Sequence, residues 1–271
     1  VGCASLDAAP LRLRPVPGKP CRIAFIRLLG LSAEETRLAE RAREPNREPR
    51  VIVNNDGFSL FFGGVDSREK LHRIVDVYAG KPIYSFDWGL GVDASCTYAT
   101  KVGTVFATHV QEPWRRGDRQ ARDILQKLIA EGNDPLKVMV ERCREKGVPV
   151  YASFRMNANY PPPMDKTFNG ELWWRNQECR IVSREGKTHC NLSYAYPQVR
   201  EYRLAILREA AGYGPDGIHL DFLRHPPFFG YDKPLVEAFT RQYGADPRTI
   251  PEDRRWHQLR ADVMTAFLRE V

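Results

Sequence analysis

Along residues 50–271, short apolar runs of strand length alternate with longer stretches whose apolar residues recur at helical spacing. Arg50-Val51-Ile52-Val53-Asn54-Asn55-Asp56-Gly57 opens the series as a β-branched run ending in polar residues and a glycine. Helical spacing over 65–80 follows, with Leu71, Ile74, Val75 and Tyr78 apolar. Residues 83–89 predict a second strand, again ending in a carboxylate and an aromatic, Asp87 and Trp88. Residues 90–117 show no clean period and read as a long functional loop. Helix is predicted in two parts over 118–147, broken near Gly132-Asn133-Asp134-Pro135; the second part ends in Lys146-Gly147, a C-cap signature. Residues 148–157 predict the third strand. A second irregular stretch, 158–196, holds Pro161-Pro162-Pro163 and Trp173-Trp174. Pro197 then suits the first turn of a helix through Gly212. Residues 216–226 form the fourth strand, and helices over 235–243 and 256–270 follow.

Strand side chains alternate between faces. In the fourth strand Ile218, Leu220 and Phe222 share one face, and His219 and Asp221 the other. In the third, Val150, Ala152, Phe154 and Met156 oppose Tyr151, Ser153, Arg155 and Asn157. A buried row of Tyr, Ser, Arg and Asn is costly unless it is hydrogen-bonded or lines a polar cavity. Two strands thus predict one polar cavity independently, with Asp221 near the carboxyl end of its strand. Enclosed parallel α/β folds place their chemistry there.

The alternation of strand and helix predicts an α/β fold with parallel strands and right-handed connections. No GxGxxG or Walker glycine pattern follows any strand, which disfavours a dinucleotide or P-loop fold. The expected architecture is a (β/α)8 TIM barrel, which takes about 250 residues. Four clear strands occupy 50–271, and Val271 follows a helix where a fifth strand is due. The chain is therefore expected to hold roughly the first half of a barrel. Residues 1–49 read as an N-terminal linker or extension. Its stretch 11–20 is proline-rich, and Ser32 with Glu35 three residues on predicts a capped helix.

Composition narrows the class. Apolar residues make up 42% and charged residues 28%, with no apolar run long enough to span a membrane. The formal charge of +7 is spread along the chain without a lysine/arginine block, so nucleic acid is not an expected partner. Six cysteines show no CxxC or CxxH spacing, and no HxH or HExxH pattern occurs, so no metal and no cofactor is expected. Cys179 and Cys190 flank a short polar loop and read equally as a disulfide or as two thiols. Val1-Gly2-Cys3-Ala4-Ser5 resembles the tail of a bacterial lipoprotein signal, without the charged and apolar segments that precede one. Chance is the competing reading to a lipid anchor at Cys3.

Several stretches resemble the bacterial glycosyl hydrolase-like 10 proteins, which are related to glycosidase barrels. They are Asn54-Asn55-Asp56-Gly57, Ser153-Phe154-Arg155-Met156-Asn157, Tyr196-Pro197-Gln198-Val199-Arg200-Glu201-Tyr202 and Asp216-Gly217-Ile218-His219-Leu220-Asp221-Phe222-Leu223-Arg224-His225-Pro226. The last is the most specific. Phe222 stands where the family usually has tyrosine and His225 where it has another aromatic. The resemblance covers about residues 50–270 and implies a (β/α)8 barrel and hydrolysis of a glycosidic bond, hence a carbohydrate substrate; action outside the cytoplasm is a companion expectation.

Glycoside hydrolysis usually takes two carboxyl groups. Asp221 is the candidate catalytic carboxylate; capping of the next turn or pairing with Arg224 is the structural alternative. Asp56 and Asp87, both at strand ends, are candidates for substrate binding, with a second catalytic carboxylate expected there or on a strand beyond this chain. His219 is placed to bond a sugar hydroxyl or to orient Asp221. Arg155 favours an ionised Asp221 if the two are close. Asn54 and Asn157 offer donors and acceptors suited to sugar hydroxyls. Trp88, Trp173 and Trp174 are candidates for stacking on sugar rings, with loop packing the alternative. A non-catalytic carbohydrate-binding barrel and a metal-dependent hydrolase drawing on His109, His189, His219 and His225 are the rival readings.

Overall fold

The strand-length runs pair with one another because a parallel strand buried under helices satisfies its backbone only through its neighbours. The computed structural model describes residues 30–41, 51–92, 95–223 and 226–271. The chain divides into two units, 1–49 and 50–271. Helix α1 (Ala33–Arg41) belongs to the first. Its start is a capping box: the Glu35 amide donates to Ser32 Oγ at 3.2 Å and the Ser32 amide to the Glu35 carboxylate at 2.8 Å. The proline-rich stretch 11–20, Cys3 and Cys21 lie outside the described residues.

The second unit begins with β1 (Val51–Asn55), α2 (Ser59–Phe62), α3 (Arg68–Asp76) and β2 (Ile83–Gly89). Three two-residue strands follow, β3 (Gly91–Val92), β4 (Ser95–Cys96) and β5 (Thr104–Val105), then α4 (Arg116–Ala130) and α5 (Pro135–Lys146). After β6 (Val150–Arg155) come α6 (Asp165–Phe168), α7 (Glu171–Arg175), β7 (Arg180–Val182) and β8 (Thr188–Leu192). The series ends with α8 (Pro197–Ala211), β9 (Gly217–Asp221), α9 (Lys233–Tyr243) and α10 (Arg254–Glu270).

The main sheet is β1-β2-β6-β9, every neighbouring pair parallel. Spatial order follows chain order, with helices in each crossover. That is the arrangement of successive βα units in a TIM-type barrel, and the fold is α/β as the alternation predicts. The four strands of the main sheet and the larger helices fall where the periodicity places them. The two irregular stretches hold more than loop. Residues 90–117 carry the small sheet β3-β4-β5, and 158–196 carry α6, α7 and the antiparallel β7–β8 pair. Segments of two to five residues are too short to show a period.

One face of the main sheet is apolar. Phe86, Trp88, Val150, Ala152 and Phe154 pack there in one core with Leu71 and Val75 of α3, Leu125 and Leu128 of α4, and Leu136, Met139 and Val140 of α5, all buried. Leu204 and Leu207 of α8 complete that layer. Each such side chain taken from water stabilises the fold by roughly 1.5–3 kcal/mol. Arg142 clamps α5 to α3 through two bonds to Asp76, at 2.7 and 2.9 Å. At the carboxyl ends of β1 and β2 two glycines let the backbones meet. Gly57 has a φ of 62°, and a Cβ there would lie 1.8 Å from the Gly89 carbonyl oxygen. A Cβ on Gly89 would lie 2.2 Å from the Asp56 carbonyl oxygen. Neither position tolerates a side chain.

Each insertion is fastened by a carboxylate. Glu209 of α8 accepts from the Tyr98 hydroxyl (2.9 Å), the Thr100 hydroxyl (2.6 Å) and the Lys101 amide (2.6 Å), which holds the turn between β4 and β5. Asp232, fully buried ahead of α9, accepts from Ser193 Oγ (2.6 Å) and from the amides of Gly230 (2.8 Å) and Val182 (2.9 Å). Burial pushes the Asp232 carboxyl above the ordinary carboxylate range despite these donors. Cys179 and Cys190, the pair left open by the sequence, are free thiols, and burial pushes Cys179 up to about 12.

Asp232→Ala leaves a buried hydroxyl and two amides without their acceptor. We expect a loss of about 3 kcal/mol in unfolding free energy, read from urea titrations. A loss under about 1 kcal/mol would show that the β7–β8 pair is not anchored through this residue.

Candidate functional site

In a parallel ladder, residues side by side point to the same face. The register aligns Asn54, Asp87, Tyr151 and Gly217 in one row, Gly89, Ser153 and His219 in the next, and Arg155 and Asp221 in the last. The rows between them are Val53–Phe86–Val150, Asn55–Trp88–Ala152–Ile218 and Phe154–Leu220, which belong to the apolar face. The polar residues of β6 and β9 therefore share one face, as their separate alternations predict, and β2 adds Asp87 to it.

Asp87 is only 2% exposed and is held on both oxygens. Ser85 Oγ donates to Oδ1 at 2.6 Å, and His219 Nδ1 lies 2.6 Å from Oδ2. Asp87 and His219 are on strands separated by β6, whose residue in the His219 row is the small Ser153. The His219 side chain remains 39% exposed, so its ring is fixed at one edge and open at the other. Ser85 has one signal in the sequence, its i, i+2 relation to Asp87, which sets both on one strand face. Gly217 has a similar part. The Tyr151 ring lies against it, 2.9 Å from where a Cβ would stand. Asp216 just ahead fixes the start of β9, accepting from the Val150 amide at 2.8 Å.

Asp221 ends β9 and is half-buried. Its carbonyl oxygen accepts from the Met156 amide (3.0 Å) and its Oδ1 from the Leu223 amide (3.0 Å). Arg155 stands beside it in the register, and among the described residues the guanidinium forms no ion pair. Asp56 follows the end of β1 and opens α2, accepting from the amides of Phe58 (3.0 Å) and Ser59 (2.9 Å) and from the Ser59 hydroxyl. Burial works to raise its carboxyl, but the Ser59 hydroxyl, these amides and the charge of Arg155 outweigh that and hold it below the ordinary carboxylate range.

The sheet thus brings together Asn54, Asp87, Arg155, His219 and Asp221, with Asp56 within electrostatic reach of Arg155. Other candidates are placed elsewhere. Trp88 lies on the apolar face, fully buried against Phe86. Asn157 is buried and donates to the Pro227 carbonyl at 2.7 Å, tying β6 to the segment after β9. Trp173 of α7 is buried with Nε1 bonded to the Cys190 carbonyl (2.6 Å), while Trp174, edge-on to it, is 40% exposed. Arg224 and His225 lie outside the described residues. Among the described residues no three His, Cys, Asp or Glu side chains converge as a metal ion would require, and no helix is long and apolar enough to cross a membrane.

A family model described as "Glycosyl hydrolase-like 10" matches residues 105–271, more than half of the sequence. The chain belongs to the glycosyl hydrolase-like 10 family. The matched stretch includes Arg155, His219 and Asp221, whereas Asn54, Asp56 and Asp87 precede it. Among solved structures, a hypothetical protein from Ruminiclostridium thermocellum ATCC 27405 is similar to this family member with 13% identity and a TM-score of 0.45, over 82% of this chain and 93% of that one. An alpha-galactosidase from Thermus thermophilus, solved in complex with p-nitrophenyl alpha-D-galactopyranoside, is similar with 19% identity and a TM-score of 0.37. That match covers 70% of this chain, which spans 35% of the galactosidase. No curated protein matches the sequence.

The depressed Asp56 carboxyl contributes stability that is present above the ordinary carboxylate value and is lost as pH falls through its lowered folded value. Ser59→Ala removes the strongest of the bonds holding it down. Acid unfolding followed by circular dichroism should therefore begin at higher pH in Ser59→Ala, with a difference of only about 1 kcal/mol near neutrality. An unchanged acid transition would show that Ser59 does not set this carboxyl.

Proposed function

We propose that this protein hydrolyses O-glycosidic bonds of a polysaccharide or oligosaccharide, with Asp221 as the carboxylate that acts at the anomeric carbon. The observation that carries the reading is the position of Asp221. It ends β9, the last strand of the main sheet, on the polar face, beside Arg155, with Oδ1 held by a backbone amide. A carboxylate so placed is preorganised to attack the sugar or to activate a water, and membership of a glycosyl hydrolase-like family supports this reaction class. The Arg155 guanidinium beside it stabilises negative charge at the site, and Asn54 offers an amide for a sugar hydroxyl. Action outside the cytoplasm, with a lipid anchor at Cys3, belongs to the same proposal and rests on the Val1-Gly2-Cys3-Ala4-Ser5 stretch.

One observation favours a second reading, a barrel that binds carbohydrate without cleaving it. Asp56 and Asp87 both spend their oxygens on internal hydrogen bonds, so neither stands as a ready partner carboxylate for Asp221.

Asp221→Asn keeps the shape of the side chain and removes its charge. Release of reducing ends across a panel of glycans should fall by about 10²–10⁴-fold in this variant, with its thermal unfolding unchanged. Turnover at the level of the unaltered protein would sink the assignment of Asp221, and binding without turnover by the unaltered protein would select the second reading.

A further inference from the structure

We propose that His219 is the proton donor of this site and that Asp87 is the residue that positions it, so that the acid partner of Asp221 is an imidazole and not a second carboxylate. The inference rests on the glycosidase reading above and names its missing member.

The geometry begins with the 2.6 Å contact between His219 Nδ1 and Asp87 Oδ2. An ionised carboxylate only accepts, so the hydrogen in this contact is on Nδ1. Asp87 is itself immobilised, because it is buried and its other oxygen takes the Ser85 hydroxyl at 2.6 Å. With Nδ1 committed, the ring's exchangeable position is Nε2, and the 39% exposure of the side chain leaves that edge open on the polar face. A partner on one ring nitrogen fixing the role of the other is how an orienting carboxylate makes imidazole an acid or base.

His219 is also at the right distance from Asp221. Two residues apart on one strand face, their Cβ atoms are separated by roughly 6.5–7 Å. The paired groups of glycosidases stand about 5–10 Å apart, one on each side of the scissile bond. The chemistry balances with these two residues and water. Starting from the imidazolium form, Nε2 gives its proton to the glycosidic oxygen as the bond from the anomeric carbon breaks, and that bond's electron pair stays on the oxygen, which leaves as an alcohol beside a neutral ring. The anomeric carbon takes either an Asp221 oxygen, later displaced by water, or a water oxygen whose proton passes to Asp221. The consumed water restores the proton to Nε2, directly in the first course and through solvent in the second. Nδ1–H stays on Asp87 throughout.

The test compares leaving groups. Phenyl and 2,4-dinitrophenyl glycosides of the common hexoses and hexosamines differ in whether the leaving oxygen needs a proton. Replacing His219 by Ala or Gln should slow phenyl glycoside hydrolysis by about 10²–10³-fold and leave the dinitrophenyl rate within about tenfold; the retained rate shows that the variant is folded. Asp87→Asn should change the ratio in the same direction by a smaller factor. In nitrogen-15 spectra it should also weaken the hydrogen-bonded Nδ1–H signal of His219, since an amide oxygen is a poorer acceptor than a carboxylate; the changed leaving-group ratio is the effect that a purely structural aspartate would not produce. Equal losses on both substrates, or no loss on either, overturn the donor assignment while the glycosidase reading stands. If the unaltered protein cleaves none of these glycosides and no glycan of the panel, the glycosidase reading fails and the donor role with it.

Discussion

Polar side chains on the inner face of a parallel sheet are the constraint around which this molecule is built. Such a row survives burial only when its members bond to one another or meet a solvated cavity. Here both solutions are used within a few ångströms. Ser85, Asp87 and the near edge of His219 satisfy one another, and the far edge of His219, Arg155 and Asp221 are left half open. The register decides which residues share this face. A slip of one position would carry Asp87 and His219 into the helix layer and bring Trp88 and Ile218 inward. The large apolar surfaces of Phe86, Trp88 and Phe154 on the other side make that slip costly, so the core enforces the site.

The two insertions follow a different physics. They have little periodic structure of their own, and in each, one carboxylate acts as a multiple acceptor alongside the buried apolar contacts. Glu209 reaches from α8 to the segment around Thr100, and Asp232 collects donors from Ser193, Gly230 and Val182. Hydrogen bonds to a charged acceptor are worth more than neutral ones, and gathering several on one residue fixes the polar turns beside the buried Cys96, Tyr98 and Phe106 of one insertion and Trp173, Cys179 and Leu192 of the other. Asn157 and Asn191 extend the scheme by both donating to the Pro227 carbonyl, which fastens the segment just beyond Asp221. The backbone around the candidate carboxylate is thereby held from two sides.

Much of this is legible in the sequence itself. Period-two alternation in 148–157 and 216–226 gives the shared polar face, and the strand–helix alternation gives the barrel topology. The Ser32–Glu35 cap and the Gly147 terminus are local chemistry and appear as read. What the sequence left hidden is of two kinds. Strands of two residues, such as β3 and β4, leave no pattern to detect. The Asp87–His219 bond joins residues 132 positions apart across an intervening strand, and a single sequence carries no trace of that pairing. The tryptophans show a third limit. Trp88 follows Asp87 directly, yet neighbours in a strand face opposite ways, so closeness in sequence to a site residue is no guide to its face.

The three carboxylates at the strand ends illustrate how identical side chains acquire different work. Asp56 is wrapped by two amides and a hydroxyl and serves the start of α2. Asp87 is sealed between Ser85 and His219, where its charge can act only through the imidazole. Asp221 has one oxygen on the Leu223 amide, a cation beside it in the ladder, and a half-open position at the end of its strand. Residue type therefore does not separate them. The number of internal partners does: Asp56 takes three and Asp87 two, one on each oxygen, whereas the Asp221 side chain takes one and keeps the most acceptor capacity.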